Sequence, residues 1–160
     1  DLLQSLDYVN GDKIGCVGHS LGGHNTMFTA AFDPRIKALV SSCGFTRFHK
    51  YYGGKLKGWT SDRYMPLINS EYQNNPDLVP FDFTEIVASF APRAFLACSP
   101  ISDSNFEVSG VKDVLQIARP VYELAGKADN LQAVYPEAGH DFPPATRETA
   151  YQFFDQHLKK

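Results

Sequence analysis

The sequence has little cysteine, no long apolar run and no block of basic charge, and each of these absences excludes a class of protein. Its 160 residues include three cysteines, with no C-x-x-C pair and no cluster at zinc spacing. An odd cysteine count offers no complete disulfide framework, and we predict no structural metal and no cofactor. We expect Cys16, Cys43 and Cys98 to be reduced residues of buried strands.

Charge and hydropathy narrow the class of partner. Lysine and arginine total 15 against 18 acidic residues, which gives a formal net charge of −3. A nucleic-acid or anionic-membrane surface therefore has no electrostatic support. The apolar runs fall well short of the roughly 20 residues that cross a bilayer. We predict neither a nucleic-acid nor a membrane partner, and a single domain over 1–160, because this length supports one core.

Apolar runs alternate with helical patterns along the chain. Strands are predicted at 13–17, 36–42, 94–99 and 131–135, and helices at 1–8, 22–32, 84–90, 110–124 and 144–158. Pro120 should kink or shorten its helix. The alternation predicts an α/β fold with a parallel sheet covered on both faces. The stretch 44–80 has no clean period, and we interpret it as a cap-like segment with a short helix at 63–73.

The first predicted strand runs directly into Gly18-His19-Ser20-Leu21-Gly22. A strand followed by G-x-S-x-G is where α/β-hydrolases hold a nucleophilic serine on a strained turn. We expect positions 18 and 22 to require glycine, because a side chain at either position would keep the strand and the helix apart. The alternative is a glycine-rich turn that happens to carry a serine.

A nucleophilic serine needs a histidine base and an acid that orients it. In this fold the chain order is serine, acid, histidine. Asp103 follows the third predicted strand and His140 follows the fourth, so both should lie at the same sheet edge as Ser20. These three residues are the predicted catalytic group.

Other acids and histidines are weaker candidates. Glu107 and Asp82 are alternative acids, and Asp103 itself could be an ordinary turn residue. His49 and His157 are interpreted as surface residues. His19 and His24 flank the serine and are interpreted as structural, although His19 is also a candidate for the substrate pocket.

The chain resembles the C-terminal portion of an α/β-hydrolase of the dienelactone-hydrolase-like, acetyl-xylan-esterase-like group. The resemblance rests on five strings that span nearly the whole chain: 18–26 (GHSLGGHNT), 32–38 (FDPRIKA), 91–93 (APR), 103–106 (DSNF) and 139–143 (GHDFP). It implies a partial fold in which the four strands are equivalent to strands 5-6-7-8 of the family. The nucleophile strand would then present an unpaired apolar edge.

The same resemblance implies an N-terminally incomplete fragment. The backbone N–H of Leu21 should be one oxyanion-hole donor, while the second belongs to a loop that precedes this sequence in the family. Losing one donor costs about 2.7 to 4 kcal/mol of transition-state stabilisation, so we expect little activity from this chain alone.

The predicted function is that of a serine esterase. It would cleave small or carbohydrate-linked esters through an acyl-enzyme. Its pocket is predicted at His19, Tyr51, Tyr52 and Trp59, the last three in the aromatic segment 45–65 that also holds Phe48 and Tyr64, unless these aromatics only pack the core. One alternative is a serine peptidase resembling the prolyl-oligopeptidase group, although Ser99-Pro100 stands where those peptidases usually show His-Gly. The other is a non-catalytic binding module.

Overall fold

Four parallel strands form one sheet in the order β1-β2-β3-β4. The computed structural model describes residues 1–62 and 64–159. The strands are β1 (Ile14–His19), β2 (Ile36–Ser42), β3 (Ala94–Cys98) and β4 (Leu131–Val134). The α-helices of the described residues are α1 (Leu21–Phe32), α2 (Pro66–Ser70), α3 (Phe83–Ala88), α4 (Val108–Leu124) and α5 (Pro144–Leu158). The predicted α/β class and partial parallel sheet are confirmed.

The sheet has a buried cluster on each face. On one face Leu39 and Phe95 pack with residues of α1, α3 and α4. On the other face Val40 and Leu96 pack with Ala150 and Phe153 of α5. Successive strand residues thus point to opposite clusters, as the period of two in an extended chain requires.

The helix predicted at 110–124 is α4, which continues through Pro120 to Leu124 and so is not shortened there. Two other local expectations are wrong. Residues 1–8 form no α-helix, only a 3-10 turn at Leu3–Ser5. The helix expected at 63–73 is the shorter α2, and Arg63 lies outside the described residues. The cysteines are free as predicted, but Cys16 is half-buried and Cys43 follows β2.

Arg93 joins three elements at the amino end of the sheet. Its guanidinium donates to the carbonyl oxygens of Ala30 (2.8 Å), Ile36 (3.0 Å) and Asp33 (3.2 Å). Carbonyls at the end of a helix have no partner within it, so a cation there is favourable. Arg93, just before β3, therefore ties the end of α1 to the start of β2.

The segment 44–80 is packed into the main core. Its buried apolar side chains belong to the same cluster as Met27 of α1 and Phe95 of β3; they are Phe45, Phe48, Tyr51, Leu56, Trp59, Ile68 and Val79. The segment thus packs against the first half of α1, where Trp59 and Tyr64 contact His24. Within residues 1–62 and 64–159, no helix combines the length and apolar character that crossing a membrane requires.

Candidate active site

Ser20 occupies a sharp turn between β1 and α1. Its backbone has φ 55° and ψ −119°, a conformation that residues with a side chain rarely adopt. Its N–H donates to the Ser42 carbonyl of β2 (2.8 Å), and its own carbonyl accepts from the His24 N–H (3.0 Å). The turn is therefore anchored to both the sheet and the helix, which is the geometry that exposes a nucleophile above a sheet edge.

Two glycines allow this turn, and one of them is not the predicted one. A Cβ at Gly18 would lie 2.1 Å from the carbonyl carbon and oxygen of Gly22. A Cβ at Gly22 would meet nothing within 4 Å, so the expectation that Gly22 must lack a side chain is wrong. Gly23 takes that role instead, since its Cβ would lie 2.9 Å from Ser41 Oγ and from the Ser42 carbonyl.

The structure brings Ser20, Asp103 and His140 together. His140 Nε2 lies 2.8 Å from Ser20 Oγ, and His140 Nδ1 lies 3.0 Å and 3.1 Å from the two carboxylate oxygens of Asp103. The Asp103 side chain is 1% exposed. Its Oδ1 also accepts from the backbone N–H groups of Asn105 (2.8 Å) and Phe106 (3.1 Å). The carboxylate is therefore held in one orientation by its own loop.

This arrangement favours one tautomer of His140. Because the Asp103 carboxylate can only accept, the Nδ1 atom of His140 carries the proton, and the lone pair of Nε2 faces the Ser20 hydroxyl. A serine hydroxyl that donates to a neutral imidazole can pass its proton to that ring. The three side chains thus form a chain along which a proton can move.

Two rings flank His140. The centroid of His19 lies 5.1 Å away on one side and that of Phe106 lies 5.8 Å away on the other. His19 Nδ1 is 3.1 Å from Ser42 Oγ. Burial, and secondly the neighbouring His140, lower the pKa of His19. His19 therefore stays neutral beside His140 at neutral pH.

A family comparison decides the assignment. The model of the family described as "Prolyl oligopeptidase family" matches residues 1–160. The chain belongs to the prolyl oligopeptidase family.

Two curated relatives and one solved structure show the range of similar proteins. The chain is 31% identical over 159 residues to YtaP of Bacillus subtilis (strain 168), covering 99% of this chain and 50% of that protein. It is 44% identical over 141 residues to 2,6-dihydropseudooxynicotine hydrolase of Paenarthrobacter nicotinovorans, covering 87% and 35%. Its fold is similar to that of a glucuronoyl esterase from Solibacter usitatus (TM-score 0.78, 20% identity, covering 98% and 45%). The chain spans half or less of the length of each.

Membership of the prolyl oligopeptidase family confirms the resemblance to α/β-hydrolases. Within that superfamily, the prolyl oligopeptidase family is the group named above as the alternative assignment. Ser99-Pro100 stands before Asp103 in this member of the prolyl oligopeptidase family. The narrower dienelactone-hydrolase-like or acetyl-xylan-esterase-like assignment stays a prediction.

A cleft of about 450 Å³ opens beside Ser20. Its lining includes Ser20, Leu21, Tyr51, Tyr64, Asn105 and Phe106. Burial raises the pKa of both tyrosines, so their hydroxyls stay protonated. Leu21 is the first residue of α1, and its N–H therefore has no acceptor within the helix. The cleft thus combines aromatic faces with an available backbone donor beside the serine.

Of the four residues predicted to form the pocket, the structure places Tyr51 in this lining and the others elsewhere. Trp59 is 1% exposed and packs into the core against His24, so it offers no surface to a substrate. The ring of His19 lies beside that of His140, tilted by 47° to it. The hydroxyl of the exposed Tyr52 donates to Asn105 Oδ1 (2.5 Å), so Tyr52 contacts a residue of the lining.

Sequence reasoning did not assign Asn105 or Phe106 to this wall. They stand two and three residues after Asp103, so their position beyond a strand end was a usable signal. Tyr64 belongs to the aromatic segment 45–65 in which the pocket was predicted, and the structure places it in the lining. A second cleft, of about 320 Å³, lies at the amino ends of β1 and β2 and contains none of the predicted catalytic residues.

The alternative acids have structural roles. Asp82 is the N-cap of α3 in a capping box with Glu85, and it also accepts from the backbone N–H of Phe48 (3.1 Å). Glu107 precedes α4, where its carbonyl accepts from the Thr46 hydroxyl (2.8 Å). Each residue joins the segment 44–80 to a helix instead of contacting His140.

The remaining histidines lie away from Ser20 Oγ. His24 is 3% exposed and surrounded by rings, including Phe28 (4.5 Å) and Trp59 (4.6 Å). Its burial lowers its pKa to about 3. His49 pairs with Asp77 on the surface (2.7 Å), whereas His157 is half-buried beside Phe153 of α5.

One group of the described residues has the composition of a cation site. The donor atoms of Cys43, Asp103 and His140 lie within 4.8 Å of one another. Asp103 and His140 already hydrogen-bond each other, and a cation between them would replace that bond. We therefore treat Asp103 and His140 as parts of the proton-transfer chain, with Cys43 as a neighbour of both.

Proposed function

We propose that the protein is a serine hydrolase that cleaves carboxylic esters through an acyl-enzyme. The observation that carries this proposal is the pair of contacts made by His140, 2.8 Å to Ser20 Oγ and 3.0 Å to the Asp103 carboxylate. A binding module has no need of a hydroxyl, an imidazole and a buried carboxylate in this order. Membership of the prolyl oligopeptidase family and the hydrolase names of relatives support it.

In the proposed mechanism Ser20 Oγ attacks the ester carbonyl while His140 Nε2 takes its proton. Asp103 stabilises the imidazolium that forms. The Leu21 N–H points at the developing oxyanion from the first turn of α1. His140 then returns the proton to the leaving alcohol, and water repeats the sequence to release the acid.

The proposed substrates are small or carbohydrate-linked esters. The cleft beside Ser20 presents the rings of Tyr51, Tyr64 and Phe106, which suit the apolar face of a sugar or a short acyl group. Structural neighbours include glucuronoyl esterases, although at 20% identity they inform the fold alone. No cofactor takes part in this mechanism.

A second candidate is hydrolysis of peptide bonds, which the family assignment favours. The two candidates share the same three side chains and differ in the leaving group. A full-length gene product assayed on 4-nitrophenyl acetate, the methyl ester of a uronic acid and a prolyl amide separates them. We expect the esters to be hydrolysed faster than the amide. A preference for the prolyl amide would contradict the esterase proposal and favour a peptidase.

The nucleophile is tested directly with a fluorophosphonate probe and intact-mass measurement. We expect one adduct on the wild-type protein and none on Ser20→Ala, with kcat for esters reduced by about 10⁴-fold or more in the variant. The matched control is Ser61→Ala, which changes an exposed serine in the lining of the same cleft. Unlabelled wild-type protein would favour the non-catalytic alternative.

A further inference from the structure

Cys43 occupies a strained position at the carboxyl end of β2. This strand lies between β1, which leads to Ser20, and β3, which leads to Asp103. Cys43 is 1% exposed and has φ 48°, in the left-handed region that residues with a side chain rarely adopt. Its N–H donates to the Cys98 carbonyl (3.0 Å). A residue with a Cβ keeps such a conformation only where the surrounding structure holds it there.

The thiol of Cys43 contacts both loops that carry the proposed acid and base. Its Sγ lies 3.4 Å from the carbonyl oxygen of Asp141, the residue after His140. It also lies within 4.8 Å of the Asp103 carboxylate and of a ring nitrogen of His140. The side chain therefore lies between two loops that are also joined by the Asp103–His140 hydrogen bond and by backbone bonds from Ile101 N–H to the Pro136 carbonyl (3.0 Å) and from Ser102 N–H to the Ala138 carbonyl (3.1 Å).

Cys43 can serve as a donor because it stays protonated. Burial, and secondly the neighbouring Asp103 carboxylate, raise its pKa to about 12. A thiolate beside a buried carboxylate would add a second negative charge to the same site. The S–H group is therefore available to the two acceptors within reach, the Asp103 carboxylate and the Asp141 carbonyl.

We propose that Cys43 is a positioning residue for the Asp103–His140 pair: its S–H donates to the base loop at the Asp141 carbonyl and lies beside the Asp103 carboxylate of the acid loop, and so holds the two loops in register. This inference rests on the proposed function. The other titratable groups that face His140 are His19 on β1, which is neutral, and Asp141 on its own loop. Removing the Cys43 donor leaves the Asp103 charge less stabilised, so Asp103 should attract the proton of His140 more strongly.

The experiment compares Cys43→Ala, Cys43→Ser and Cys43→Gly by the pH dependence of kcat/KM in the full-length gene product. For Cys43→Ala we expect kcat to fall on the order of tenfold with KM unchanged, because Cys43 is not in the lining of the cleft. The acid limb of the profile should move to higher pH, by up to about one unit. Cys43→Ser, which keeps a donor, should retain the wild-type limb.

Cys43→Gly separates the donor from the backbone strain. Glycine accepts φ 48° without cost but carries no donor, so we expect this variant to behave like Cys43→Ala. If Cys43→Ala fails to fold, the test still stands, because Cys43→Gly can be compared with Cys43→Ser. The matched control is Cys98→Ala, an equally buried thiol that packs toward α5. It should lower stability and leave the pH profile unchanged.

Two outcomes would overturn the positioning role. One is a set of Cys43 variants with the wild-type pH profile and kcat in an active enzyme. The other is recovery by Gly but not by Ser, which would assign the effect to backbone strain. A wild-type protein that neither hydrolyses esters nor reacts with the fluorophosphonate would instead contradict the proposed function.

Discussion

Two glycines of the nucleophile turn should respond to alanine in opposite ways. At Gly18 the new Cβ would start 2.1 Å from the Gly22 carbonyl group, so the backbone must separate by about 1.3 Å to reach an ordinary contact of 3.4 Å. The displaced atoms are backbone atoms of a strand and a helix, which cannot rotate away. Overpacking of this kind costs about 3 kcal/mol of unfolding free energy or more.

At Gly22 the same substitution meets nothing within 4 Å and lies in the first turn of α1. Alanine is favoured over glycine in helices, so Gly22→Ala should be neutral or stabilising by up to about 1 kcal/mol. Gly23→Ala should fall between the two, because one of its contacts is the Ser41 hydroxyl, a side chain that can turn aside.

Urea unfolding followed by far-UV circular dichroism measures these differences. Gly18→Ala should shift the midpoint to lower urea with an unchanged slope. The reasoning is refuted if Gly18→Ala is as stable as the wild type, or if Gly22→Ala destabilises as much as Gly18→Ala. The second result would mean that the helix and strand approach each other differently from the structure.

Two further predictions concern stability. Burial lowers the pKa of His24 to about 3, so the unfolded chain takes up a proton at His24 more readily than the folded protein and stability falls as the pH drops below about 6.5. Urea unfolding at pH 7 and at pH 4 should show a loss of about 3 kcal/mol of unfolding free energy, and His24→Leu should remove this pH dependence. Arg93→Ala should cost about 2 to 4 kcal/mol, because it leaves the carbonyls at the end of α1 and the start of β2 without their donor. Arg93→Lys should recover part of this, and equal unfolding midpoints for Arg93→Ala and the wild type would contradict that role.

Much of the fold was predictable because its signals are local. Helix α5 has the predicted bounds 144–158, since a proline opens it and an apolar face runs along it. The proximity of Ser20, Asp103 and His140 followed from a topological rule, because each stands just after the end of a parallel strand. The helix prediction for residues 1–8 was wrong, because none of the residues in their 3-10 turn is buried against another element.

The details of the cleft depend on packing, which sequence patterns do not contain. Trp59 and Tyr64 are five residues apart in the same irregular segment, yet one is buried in the core and the other is in the lining of the cleft. Sequence spacing also does not show which neighbours a side chain at a glycine position would meet. The motif G-x-S-x-G therefore could not show that the turn requires glycine at position 23 and not at position 22. Cys43 carried a signal in its position after β2, but a lone cysteine has no distinctive pattern.

The hydrogen bond between Ser20 and His140 joins residues 120 positions apart. Contacts with such a large separation form late, because the entropy of closing the intervening loop must be overcome before they contribute. During refolding of the full-length gene product, the proposed esterase activity should therefore return with the last kinetic phase of tertiary assembly, after helical structure has formed. The recovery of turnover would then report when the Ser20–His140 contact forms.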